Sequence, residues 1–142
     1  MTKRVPVAVY WDSSSILSVL FKDAHSKEAL NWFEKNGVHL ISTLSYTEVC
    51  AVISRIKREK LLADILIDVA FKALKTGPWR YLNIWPEWSK LRALSQKWSL
   101  KGTHVWHLAT AQTLQKQIPE LALLTFDSRL GIAVKGEGLM AK

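Results

Sequence analysis

The chain has 142 residues, 49% apolar and 23% charged, which predicts one domain (residues 1–142) with a core of ordinary size and excludes a disordered chain. Twenty Lys and Arg against 12 Asp and Glu give a formal charge of +8 and a pI near 9.8. Such an excess attracts polyanions and favours nucleic acid as a partner, although a soluble surface that merely repels itself has the same signature.

Val5 to Tyr10 is a continuous apolar, β-branched run, as a buried parallel strand requires. It is too short for a signal-peptide core or a membrane span, so a cytoplasmic protein is expected. Asp12 and three serines follow, then Ile16, Leu17, Val19 and Leu20, which reads as strand, capped turn and helix. Ser26 to Lys35 predicts a second helix ended by Asn36-Gly37, and Val38 to Ser42 the next strand. Ser45 opens a long helix with an apolar stripe of Val49, Val52, Ile53 and Ile56. The one cysteine, Cys50, lies in this stretch, so no internal disulfide can form, and no Cys/His cluster suggests structural zinc. A break near Lys60 leads to a helix from Leu61 to about Leu74, stopped by Gly77-Pro78. Tyr81 to Ile84 is a short strand, and Pro86 suits the first turn of a helix reaching about Ser99. Thr103 caps a helix through Gln115, Leu121 to Phe126 is a strand, and Ser128 starts a short helix. A weak last strand is expected near Leu139. Strands alternating with helices imply an α/β fold, a parallel sheet covered on both faces. Ligand sites in such open sheets lie beyond the carboxyl ends of the strands.

Asp12 and Asp127 both stand where an apolar strand gives way to a helix. Each can be a simple N-cap, and Ser45-x-x-Glu48 fits a capping box. Taken together, Asp12, Glu48 and Asp127 suggest more. Carboxylates crowded at one sheet edge repel unless a cation neutralises them, and a hard divalent ion binds oxygen ligands. An acidic cleft in a basic protein suits phosphodiester cleavage: cations hold the backbone while a metal activates water.

At these residues the chain resembles the PIN-domain ribonucleases. Asp12-Ser13-Ser14 is similar to their opening motif, Thr47-Glu48-Val49 to their second, His104 to Ala111 to their third, and Thr125-Phe126-Asp127 to their fourth. The order and spacing agree over roughly residues 5–140. The resemblance implies a three-layer α/β/α fold with a four- or five-stranded, mainly parallel sheet. It also implies an endoribonuclease dependent on Mg²⁺ or Mn²⁺, often a VapC-type toxin that forms a homodimer and is restrained by an antitoxin protein.

One position departs from that pattern. The third motif normally begins with Asp, and here it begins with His104. Neutral imidazole is a poor ligand for Mg²⁺ and a fair one for Mn²⁺ and later metals. Three readings stay open. His104 joins Asp12, Glu48 and Asp127 around a softer metal or positions phosphate; the protein is a weakened or inactive nuclease that still binds RNA or a partner; or the acid was lost during cloning of an active toxin. His107, on the same helix face, reads as a packed histidine bonded to backbone. Ser14 reads as a cap that also contacts phosphate or water, and Thr125 as a support for Asp127. Arg55, Lys57, Arg58 and Lys60 read as solvated cations at a helix C-terminus. Lys90, Arg92, Lys97 and Lys101 are the expected RNA contacts. Of seven Trp, most are expected in the core and one or two in a patch for a partner. The competing functions are a non-catalytic PIN-like module that binds RNA or protein, and a doubly wound signalling domain whose aspartates only cap helices.

Overall fold

The computed structural model describes residues 5–141. Four strands lie in one parallel sheet: β1 (Val7–Trp11), β2 (Gly37–Ser42), β3 (Trp79–Leu82) and β4 (Ala122–Leu124), in the order β3-β2-β1-β4. The expected fifth strand is a single parallel bridge, Leu123 to Met140. The helices are α1 (Ser13–Leu20), α2 (Ser26–Phe33), α3 (Thr43–Arg58), α4 (Asp64–Thr76), α5 (Trp88–Lys97), α6 (Gly102–Gln115) and α7 (Ser128–Gly136). No helix among the described residues is long and apolar enough to cross a membrane.

The strands alternate their side chains between two cores. Ala8, Tyr10 and Leu40 face Leu94 of α5, Val105, Leu108 and Ala109 of α6, and Leu130 and Val134 of α7. Val9, Trp11 and Ile41 face Ile16 of α1, Ala29 of α2, Val49 and Ile53 of α3, and Ile67, Ala70 and Leu74 of α4. The result is three layers, helices on both faces of a parallel sheet. That arrangement explains why the strands read as unbroken apolar runs. Gly37 starts β2 with φ +142°, and a Cβ there would lie 1.9 Å from the Val7 carbonyl oxygen. Only glycine allows this approach at the first β1–β2 pair.

Several boundaries differ from the sequence expectation, each for a local reason. Ser42, not Ser45, is the N-cap of α3: its backbone is extended, and its side chain accepts from the Ser45 N–H at 3.1 Å. Glu48 is thereby the sixth residue of the helix and not part of a capping box. β3 begins two residues early because Trp79 pairs with His39 and is buried. Pro86 precedes the helix instead of entering it, since α5 starts at Trp88 after Glu87. Thr103 does not cap α6, whose N-cap position is Lys101, a residue with no acceptor to offer. Trp11 and Trp79 fill the core, whereas Trp85 and Trp88 are 79% and 88% exposed.

Candidate active site

Because all four strands are parallel, their carboxyl ends share one edge. β1 delivers Asp12 there and β4 delivers Thr125, Phe126 and Asp127. Asp12 is 2% exposed and caps α1. Its Oδ1 accepts from the Ser15 N–H at 2.9 Å and from Ser14 Oγ at 2.7 Å, and its Oδ2 accepts from the Thr125 hydroxyl. Ser14 Oγ also accepts from the Phe126 N–H at 3.0 Å, and Thr125 Oγ1 from the Asp127 N–H at 3.1 Å. Two hydroxyls thus tie the start of α1 to the end of β4. Thr125 touches Asp127 only through the Asp127 backbone N–H, and its own proton goes to Asp12.

Asp127 caps α7 through Oδ1, which accepts from the Leu130 N–H at 2.9 Å, while its side chain stays 36% exposed. His104, two residues into α6, has Nδ1 3.9 Å from that same oxygen. The position that resembles a family aspartate therefore does border Asp127.

Glu48 belongs to a second network. Its Oε1 is 2.6 Å from His107 Nε2, and His107 Nδ1 is 2.6 Å from the Tyr10 hydroxyl. That hydroxyl is 2.8 Å from Ser42 Oγ. His107 is buried as expected, yet its partners are side chains and not backbone. Since an ionised carboxylate only accepts, Nε2 carries the proton toward Glu48. Burial raises the Tyr10 phenol pKa well above its ordinary value, hydrogen bonds from Ser42 and Ser45 oppose the rise, and the charges of Asp12 and Glu48 add to it. Tyr10 therefore sits within the field of both acids. The tie from Glu48 to His107 spans 59 residues, and only the fold reveals it. The one sequence hint was that His107 shares a helix face with His104.

Ser14 and Thr125 link Asp12 to the backbone of Phe126 and Asp127, His104 borders Asp127, and Glu48 is tied through His107 to Tyr10 on the central strand. Among the described residues no three His, Cys, Asp or Glu side chains form a ready-made cation cluster. The donors fit a divalent ion in kind. Carboxylate oxygens are the ligands such an ion takes, and among the described residues hydrogen bonds engage both oxygens of Asp12 but only Oδ1 of Asp127 and Oε1 of Glu48. Of the expected RNA contacts, Lys101 opens the helix that carries His104. Lys97 Nζ is 2.6 Å from Glu137 Oε2. Lys90 sits by Glu87, which bonds Lys116 past the far end of α6, so it lies away from His104. Arg92 is exposed on α5.

An aspartate braced by hydroxyls on the central strand, with a second aspartate after the neighbouring strand, marks an α/β protein with an acidic site at its sheet edge. The PIN domain family model matches residues 9–135, and the chain belongs to the PIN domain family. PIN domains are generally nucleases and usually use divalent metal ions, so the chain is a nuclease-type module. Among solved structures it is similar to the crystal structure of PAE2754 from Pyrobaculum aerophilum, with a TM-score of 0.61 and 17% identity over 92% of this chain and 81% of that one. That likeness concerns the fold alone. No curated protein matches.

Proposed function

We propose that the chain is a metal-dependent endoribonuclease, the toxin half of a toxin–antitoxin pair, acting on RNA in the cytoplasm. Asp12 carries this reading. It is a buried carboxylate at the ligand-binding edge, with three donors fixing its orientation. Asp12, Glu48 and Asp127 would hold Mg²⁺ or Mn²⁺, and His104 would add an imidazole nitrogen, a donor that suits Mn²⁺ better. Such an ion would offset repulsion between the carboxylates and a phosphodiester and would lower the pKa of water, making hydroxide available as the nucleophile. The remaining tasks fall to the protein. Ser14 and Thr125 orient Asp12, His107 orients Glu48, and Lys101 offers a cation to the RNA backbone.

Apolar surface supports the partners. Ile65, Leu66 and Val69 of α4, and Leu61 just before it, are exposed, although Ile67 and Ala70 of the same helix are buried. A ridge of that kind suits a second copy of the chain in a homodimer. Trp85 and Trp88 suit the amphipathic segment of an antitoxin.

Incubation of single-stranded and structured RNA with Mn²⁺ tests the activity. Cleavage is expected, falling at least about 100-fold in Asp12→Ala, a loss typical of removing a group that organises the transition state. No cleavage with Mg²⁺, Mn²⁺ or Co²⁺ would refute the proposal.

A further inference from the structure

Beside the acidic edge, a groove of about 660 Å³ opens between the start of α3, the end of α4 and the end of β3. Tyr46 and Tyr81 line it and are 41% and 50% exposed. Their rings meet edge to face, with centroids 5.7 Å apart and planes at 79°, so they form an open corner. The Tyr81 hydroxyl donates to the Leu74 carbonyl, which anchors that ring to α4. Half-buried Phe71 adds a third ring, and exposed Lys75 and Asn83 supply a cation and an amide. Neither tyrosine belongs to either hydrophobic core, so packing of the fold does not account for two rings at this place.

We propose that this corner is a base-stacking subsite for an unpaired nucleotide of an RNA strand, an inference that rests on the nuclease reading of the adjoining carboxylates. An aromatic corner fits a nucleobase. The base stacks on one ring and meets the edge of the other, and its π-face makes the contact tolerant of sequence. Lys75 suits the neighbouring phosphate, and the Asn83 amide can pair with a base edge. Position supports the same occupant. The groove lies over the ends of β2 and β3, and neighbouring strands are about 4.8 Å apart. It is therefore one to two strand spacings from Asp12 at the end of β1, a span that one or two nucleotides cover. Thr47, in its lining, directly precedes Glu48. A paired base is stacked within its own helix and cannot enter, so the subsite selects single-stranded segments.

The test measures binding apart from cutting. In an Asp12→Ala background without divalent ions, fluorescence anisotropy follows a labelled single-stranded oligoribonucleotide. Tyr46→Ala and Tyr81→Ala should each weaken binding about ten-fold, the usual loss for one stacked base. Tyr46→Phe should keep most of the affinity, and a fully paired duplex should bind all forms equally. Tyr81→Ala also removes the bond to Leu74, so Tyr46→Ala, on an exposed helix position, is the decisive variant. Unchanged affinity in Tyr46→Ala overturns the subsite. So does an equal loss in Tyr46→Phe, or a change of oligomeric state in place of a change in RNA affinity, which would make the groove a protein contact. The two readings fail separately. If the parent cuts no RNA with any ion but Tyr46→Ala loses RNA, the subsite stands and the nuclease falls. If the parent cuts RNA and Tyr46→Ala cuts it with unchanged KM, the reverse holds.

Discussion

His107 Nε2 lies 2.6 Å from Glu48 Oε1, and the same ring bonds the Tyr10 hydroxyl through its other nitrogen. One histidine, 1% exposed, thereby links a half-buried acid to the central strand. His107→Phe keeps a ring in the cavity but removes both bonds. It should destabilise the fold by about 1–3 kcal/mol, read from the urea midpoint, because polar partners are left with fewer bonds. Mn²⁺-dependent RNA cleavage should fall as well, since Glu48 loses the group that orients it.

Thr125 donates to Asp12 from 113 residues away. Thr125→Val preserves shape and deletes that donor. We expect a loss of about 1–2 kcal/mol in chemical unfolding and Mn²⁺ affinity lower by roughly 10- to 100-fold in titration calorimetry. Thr125→Ser keeps the hydroxyl and should recover most of both.

His104 stands 3.9 Å from Asp127. His104→Asp sets two carboxylates side by side, so the melting temperature without ions should fall through like-charge repulsion. Mg²⁺ should raise it again, and Mg²⁺ affinity measured by calorimetry should exceed that of the parent. Equal Mg²⁺ affinity in the two proteins would remove His104 from the ion site.

Glu137 gives a pH signature away from the site. Burial raises its pKa, but hydrogen bonds from Lys97, Trp98 and Gln112 outweigh this and hold it below its ordinary value of 4.5. A carboxylate with a lowered folded pKa stabilises the native state fully above its unfolded value, and the benefit fades as pH falls through the folded one. Glu137→Gln should therefore melt below the parent at pH 7, by roughly 1 kcal/mol of stability. The gap should close as the pH drops below about 4.5. Thermal melts of both proteins between pH 7 and 3 check the sign.

The sheet was legible because its strands are buried on both faces and read as apolar runs bounded by turns. Asp12 and Asp127 were legible for the same reason: each follows such a run, and each caps the helix after it. Glu48 is visible in the sequence, but the cap of its helix is not. Ser42, Thr43 and Ser45 crowd the start of α3, and a capping rule cannot choose among them, whereas the extended backbone of Ser42 does. His107 is tied to side chains that are remote in sequence, so no local pattern could reveal its role. The aromatic corner was hidden likewise. Tyr46 and Tyr81 meet only because β2 and β3 pair, and a count of aromatics does not separate rings that fill a core from rings left at the surface.

The bond between Thr125 and Asp12 also sets an order in time. A ribosome makes Asp12 early, yet the hydroxyl that steadies it arrives with nearly the last strand. A chain stalled or truncated before that strand carries the acid without its brace and lacks Asp127 altogether. On the proposed nuclease reading, synthesis must pass Asp127 before the carboxylate site is complete, and fragments ending earlier are expected to cleave no RNA.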